Sequence, residues 1–447
     1  MRKNFQHIQI EKSKVKSDVI KTNHYLTAEG IQLKSNYSEV DIEGLEHLDF
    51  GAGFAPNLRG IHSTMYIQQA WEIHKKTDFT IDTVEDMKEW INQPSTNEIS
   101  VLQATSNTIL PIMAFYCVAA EELNLNPEQL SRIIQNEIST TLKIPQSYQN
   151  SLRICTDILE YNHTNKSKLN PILISGCTLE KAGTTVDKQL AYTLIYGLEI
   201  IKTGLTKGMK IDDLASQLSF SFNVGMNHFT EIAKMRAARM IWAKLIQSFE
   251  PKETKSLDLR IHSQTVIANF SSPTPLDNLT RMTIEAIAAV LGGTESLMTN
   301  SIDDENLPKK HSDRIAKNTQ LILQNETKTN KTVDPWAGSF YIESLTNEIV
   351  QKTWEIIEAI ENIGGMTQAI ASGFVKINDK KEAKEFRAIN DQKLEPIHPN
   401  RDTHKVQLAL DTLANATKTG KGNILEITIQ ATKNGATFDE IVNNSIN

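Results

Sequence analysis

Cysteine is scarce in this chain: Cys117, Cys155 and Cys177 are the only three in 447 residues. An odd count with no Cys-x-x-Cys pair excludes a disulfide framework and a cysteine-based zinc site, and it suits a reducing cytoplasm. Other metal-ligand spacings are missing too, with no His-x-x-x-His and no carboxylate cluster at ligand intervals. No G-x-G-x-x-G follows a strand-like run and no G-x-x-x-x-G-K-[ST] occurs, so the usual phosphate-cradling loops are absent. Long apolar runs are lacking. The longest, Ile109 to Ala120, contains Pro111 and is too short to span a bilayer. The opening MRKNFQHIQIEKSKVKSDV is charged and has no apolar core, so no signal peptide is expected. Basic excess is also absent. Lys and Arg number 47 against 54 Asp and Glu, a net charge of −7, which argues against a nucleic-acid binder. The chain reads as cytoplasmic, with neither nucleic acid nor membrane as a partner.

What is present is ordinary globular material, 39% hydrophobic and 23% charged. Residues 1–60 are polar and read as an N-terminal arm, ending in the irregular GAGFAPNLRG (Gly51 to Gly60). From Ile81 a rhythm sets in. DTVEDMKEWI predicts a helix with Asp82 as N-cap, EISVLQAT a strand and NTILPIMAFYCVAAEEL a helix. Strands follow at PILISGC, QLSFSFNV, LDLRIHSQT, TESLMTNS and GSFYIES, each trailed by an amphipathic helix. Strand alternating with helix implies a parallel sheet, and six or seven units in a row favour a closed TIM-type (β/α)8-like barrel over 61–365. Residues 366–447 read as a charged, Pro-punctuated linker followed by C-terminal helices.

Chemistry in such a barrel sits at the C-terminal ends of the strands. Those ends are Gln103–Thr105, Ser175–Cys177, Ser221–Asn223, His262–Thr265, Met298–Ser301 and the region near Phe340. His262-Ser263-Gln264-Thr265 is the densest polar cluster. It reads either as a ligand-binding edge or as a hydrogen-bonded strand end packed on its neighbours. Cys177 reads as a nucleophile or, more ordinarily, as a small buried hydrophobe. Arg236, Arg239, Lys234 and Lys244 share one helix and read as phosphate contacts or as a solvated exterior. Asp402-Thr403-His404 is a carboxylate–imidazole pair in the charged linker, and Trp336 reads as packing at a turn.

Longer strings say more. HLDFGAGFAPNLRG, STMY, AGTTVDKQLAYTL, GMNHFTEIAKMRAARMIWAKL, LRIHSQT, DRIAKNTQLILQNE and DPWAGSFYIESLTNEI occur in that order. Together they resemble the methylmalonyl-CoA mutase family over nearly the whole chain. The resemblance implies a substrate barrel with an acyl-CoA ester threaded along its axis. It also implies a separate C-terminal domain holding adenosylcobalamin, whose homolysis starts the rearrangement of methylmalonyl-CoA to succinyl-CoA.

The chain departs from that pattern. The cobalamin signature Asp-x-His-x-x-Gly is not found, because Asp402-Thr403-His404 has no Gly three residues on. NGATFDEIVNN resembles the segment that precedes that domain. No cofactor is therefore expected on this chain alone, and adenosylcobalamin would come from a partner chain. After Phe79-Thr80 the resemblance places a missing stretch of on the order of 45 residues, about one strand–helix unit. That stretch is read as containing the first barrel strand, which leaves a barrel that lacks or rearranges that strand. The family's opening motif is kept at Thr64, Met65, Tyr66 and Trp71. Its arginines become Gln69 and His74, a threonine becomes Glu72, and tyrosines become His62 and Lys76. A Tyr-His pair becomes Cys177-Thr178, Met298 replaces a histidine, and a loop after Gln135-Asn136 lacks a substrate-binding arginine. Thr64, Met65, Gln135, Arg260, His262, Ser263 and Gln264 keep the substrate-binding positions, and no catalytic residue is assigned. The implied roles are a degenerate, non-catalytic subunit or paralogue, or else an acyl-CoA-binding substrate subunit. The implied partners are a catalytic mutase subunit or a cobalamin-binding subunit.

Overall fold

The computed structural model describes residues 25–77, 79–93, 98–105, 108–125, 133–138, 141–165, 172–266, 275–301, 308–377 and 401–445. The start of the arm and residues 378–400 of the C-terminal region lie outside them. A short antiparallel hairpin, β1 (Tyr25–Leu26) with β2 (Gln32–Leu33), opens the described chain. Seven parallel strands then close a barrel: β3 (Glu72–Lys76), β4 (Ile99–Thr105), β5 (Ile133–Glu137), β6 (Ile172–Ser175), β7 (Leu218–Val224), β8 (Ile261–Thr265) and β9 (Ser296–Met298). Helices on the outside link most of them.

The barrel closes with seven strands. β3 closes it, pairing with β4 through His74–Ile99 and with β9 through Glu72–Ser296. Closure leaves no unpaired edge among these strands. Two barrel strands, β3 and β5, were not recognised in the strand–helix reading. β3 (EIHKK) has one apolar residue and β5 (IIQNE) ends in three consecutive polar ones, so neither has the continuous apolar run expected of a buried parallel strand.

GSFYIES is helical, not a strand. Ser339 caps the helix Phe340–Ile363 by accepting from the backbone N–H of Ile342. The β-favouring Phe340 and Tyr341 are overruled by burial of Ile342, Glu343 and Leu345 on one face. The helix Val84–Asn92 is capped by Thr83 rather than Asp82, in a capping box with Asp86.

The apolar helix Ile109–Glu122 is buried from Ile109 through Ala120. One side meets the barrel. The other is covered by the returning helix Ile424–Lys433 and by Phe438, whose ring lies 6.3 Å from that of Phe115. A helix covered on both sides has no polar face to show.

The arm is held by a buried charge cluster. Arg59 donates to the backbone carbonyls of Phe50 (2.6 Å) and Leu48 (3.1 Å), and to Asp334 (2.9 Å) and Glu343 (3.2 Å). Arg236 makes two 2.8 Å bonds to Glu343 and a further one to Asp334. Arg236 is therefore neither a phosphate contact nor a solvated exterior residue. Arg239 is spent on the carbonyls of Gly292 and Gly293, and Lys234 on Glu231 and the carbonyl of Asn223.

Candidate functional site

Register decides which side chains enter the barrel. Paired residues of parallel neighbours share a face, and alternate residues point oppositely. His262 pairs with Ser221 and Ser296, and Ser221 with Ser175. Gln135, Ser175, Ser219, Ser221, Asn223, His262, Gln264 and Ser296 therefore share the inner face, together with the apolar Val101, Leu173 and Met298. The outward positions carry the core contacts, such as Phe220 against Trp242 at 4.7 Å. Barrels of this type ordinarily fill their interiors with branched apolar side chains. A lining this rich in serine, amide and imidazole side chains is the first sign of a ligand path.

At the N-terminal end of the strands lies a cavity of about 460 Å³. Met65, Tyr66 and Trp71 form its apolar wall, and Arg260, Lys255, His62, Asp258, Glu72 and Glu295 its charged one. Tyr66 is fixed by a 2.6 Å hydrogen bond to the carbonyl of Thr294, and Trp71 by one of 3.0 Å to Gln320. Arg260 and Lys255 are exposed at the rim. Burial raises the Asp258 carboxyl above its usual range, against the pull of Arg260. Burial likewise raises Glu295, against Arg239 and the backbone N–H of Ile261.

The inner wall of this cavity is histidine. His262 stacks on His74 at 5.2 Å with an interplanar angle of 23°. Ser296 Oγ lies between their Nδ1 atoms, bonded to His262 and 3.3 Å from His74. His74 Nε2 is 3.4 Å from Glu72. Burial pushes His262 well below its ordinary value, and the neighbouring His74 and Arg260 add to this.

The opposite, C-terminal half of the interior is closed on itself. Gln135 donates to Glu137 (2.6 Å) and Ser175 (2.9 Å), and Thr178 donates to Glu137 (3.1 Å). Cys177 sits against Ser221, buried, with its thiol pushed up to about 12 by burial and by Glu137. A thiol so held is a small hydrophobe, not a nucleophile at neutral pH. Gln264 donates to Asn300 (3.2 Å) and leaves its carbonyl oxygen unpartnered.

The seven retained positions thus do not form one site. Met65, Arg260 and His262 line the N-terminal cavity. Thr64 lies in the same turn as Met65 without lining the cavity. Gln135 and Gln264 belong to the far half. Ser263 faces outward, its hydroxyl 3.7 Å from Met235 Sδ. His262 was placed at the C-terminal end of its strand, and the structure puts it one residue from the start, because the strand begins only at Ile261. Lys255, Asp258, Glu295 and Ser296 were missed. No local signal marks them, since they meet only when the barrel closes.

Asp402-Thr403-His404 is a helix cap. Asp402 accepts from the backbone N–H groups of His404 and Lys405 at 3.2 Å, and His404 is an exposed first-turn residue. Among the described residues no group of three or more His, Cys, Asp and Glu could hold a metal ion. His404, an exposed residue beside its own helix cap with Gln407 where the signature has Gly, does not fit the cobalt-ligating motif. No helix among the described residues is long and apolar enough to cross a membrane.

The sequence model of the family described as methylmalonyl-CoA mutase matches residues 26–80 and 75–393. The two matches meet where the missing stretch falls. The chain is 36% identical to methylmalonyl-CoA mutase of Rhizobium meliloti (strain 1021), covering 93% of this chain and 71% of that protein. It is 34% identical to the large subunit of methylmalonyl-CoA mutase of Porphyromonas gingivalis, with 93% and 70% covered. With the mitochondrial methylmalonyl-CoA mutase of Bos taurus it shares 34% identity, over 93% and 67%. The first alignment runs over 504 positions, more than the 447 residues of this chain, so that relative carries residues this chain lacks.

Proposed function

The chain belongs to the methylmalonyl-CoA mutase family, and we propose that it serves there, in the cytoplasm, as a non-catalytic subunit paired with another mutase chain. One observation carries this reading. The C-terminal half of the interior, where barrel chemistry sits, has Gln135, Glu137, Ser175 and Thr178 bonded to one another. Cys177 and Thr178 replace the Tyr-His pair that the resemblance implies, and neither is an acid or base for a bound acyl group. Relatives named as large subunits include those of Porphyromonas gingivalis and Streptomyces virginiae, which supports a partnered arrangement. Co-expression with a full-length mutase tests it. A stable complex in which this chain turns over no methylmalonyl-CoA is expected. Absence of association, or turnover that survives inactivation of the partner, refutes it.

The N-terminal cavity favours a second reading, a substrate subunit that binds acyl-CoA and works with a separate cobalamin-binding chain. Arg260 and Lys255 at its rim suit a phosphate, and the Tyr66–Trp71 wall an apolar stem. The family is cobalamin-dependent, and the cofactor would then sit on the partner. Calorimetry with acetyl-CoA tests this reading directly, and no heat at millimolar ligand removes it.

A further inference from the structure

We propose that Glu72, His74, Ser296 and His262 form a proton relay that presents His262 Nε2 as a bare hydrogen-bond acceptor on the cavity wall. The four residues come from three adjacent strands, β8, β9 and β3, in matched register: His262 beside Ser296, and Ser296 beside Glu72. Nothing in the sequence joins them, and the order follows from counting protons.

A neutral imidazole carries one N–H and one bare nitrogen, and a serine hydroxyl has one proton to give. His74 Nε2 faces the Glu72 carboxylate, which only accepts, so the His74 proton belongs on Nε2. Its Nδ1 is then bare and takes the Ser296 hydroxyl proton. Ser296 Oγ, having donated, accepts from Nδ1 of His262. That places the His262 proton on Nδ1 and leaves Nε2 bare. A carboxylate at one end of the chain thus sets the tautomer of an imidazole three groups away.

His262 lines the cavity, so its bare nitrogen is offered to whatever enters. Burial and the nearby Arg260 and His74 disfavour its cation. A proton given to Nε2 therefore does not leave a cation there, because the proton on Nδ1 is passed on. His262 releases its Nδ1 proton to Ser296, Ser296 releases its own to His74 Nδ1, and His74 passes its Nε2 proton to Glu72. One proton leaves the ligand, one arrives at the half-exposed Glu72 carboxylate, the negative charge passes from Glu72 to the ligand, and neither imidazole is left charged. The other charged groups facing this chain are Lys76 on the same strand face, Arg260 and Glu295 at the strand starts, and His62, Lys255 and Asp258 on the rim.

The ligand class follows from the two ends of the cavity: an N–H or O–H donor against His262 and an anionic group against Arg260 and Lys255. That assignment rests on the acyl-CoA reading, whereas the relay does not. Two measurements separate them. Long-range proton–nitrogen spectra of the full chain labelled with ¹⁵N-histidine report which ring nitrogen carries the proton. The resonances are assigned with His262→Gln and His74→Gln. The expected pattern is a protonated Nδ1 and bare Nε2 on His262, with the reverse on His74. Ser296→Ala should turn His262 into a tautomer mixture, and Glu72→Gln should weaken the His74 preference, both in protein that still melts cooperatively. A protonated Nε2 on His262, or unchanged spectra in both variants, overturns the relay. Adding acetyl-CoA should shift the His262 Nε2 resonance of the unaltered chain at lower ligand concentration than that of Ser296→Ala, whose tautomer mixture must first be drawn to the accepting form. Acetyl-CoA that fails to bind removes the ligand assignment alone, and acetyl-CoA that binds without moving Nε2 overturns the acceptor role.

Discussion

Glu343 gives the sharpest test of how this fold is held. Its carboxylate is fully buried and accepts from Arg236 twice, from Arg59, from the backbone N–H of Gly338 at 2.9 Å and from His47 at 3.0 Å. Burial alone would raise its pKa. The His47 hydrogen bond, the Arg236 charge and the Gly338 N–H outweigh it and hold the group at about 2. Because the folded value is depressed, the stabilisation is complete above the unfolded value of 4.5 and fades as pH falls toward 2. At about 1.4 kcal/mol per unit, the shift corresponds to roughly 3 kcal/mol, within the range for breaking one partner of a buried pair. Glu343→Gln should therefore lose ~3 kcal/mol in urea unfolding at pH 7. The gap between the two proteins should shrink steadily below pH 4.5 and fall to about a quarter of its neutral value at pH 2.5, since the other carboxylates titrate in both. A gap below 1 kcal/mol at pH 7, or one that persists in acid, would refute the assignment of the cluster as the anchor of the arm.

Three further outcomes follow from named contacts. Gly197→Ala, usually worth about 1 kcal/mol of gain inside a helix, should lower the melting temperature here. A Cβ there would meet Phe220 at 2.7 Å, and a higher melting temperature would contradict that packing. Cys117, Cys155 and Cys177, buried with thiols pushed up to about 12, 11 and 12, should resist Ellman's reagent at pH 8 until urea unfolds the chain. Fast labelling of the native protein would show that the barrel opens. Asp157→Asn should release the C-terminal helices to protease, because Asp157 accepts from the backbone N–H of Ile424 at 2.9 Å and pairs with Lys207. An unchanged digestion pattern would place the docking elsewhere, for instance on Arg153, which caps the preceding helix through the carbonyls of Ala416 and Thr417.

Sequence by itself determined the fold class and the family. Apolar periodicity marks helices such as Val186–Thr206, and ordered strings such as DPWAGSFYIES mark the kinship, because both are local properties of consecutive residues. It also placed His262 and Arg260 among the candidates. What it could not decide were the features that exist only across the barrel. Glu72, His74 and Lys76 read as damaged substrate contacts until pairing with β4 and β9 made them the closing strand. Arg236 read as a phosphate contact or a solvated exterior residue until Asp334 and Glu343 were brought to it over 98 and 107 residues of chain. His262 read as a C-terminal strand end until the strand's true start put it at the opposite mouth. Periodicity records which face a residue takes relative to its neighbours in sequence. Which charge or proton meets it across the axis is set by strand register, and only the closed barrel fixes that.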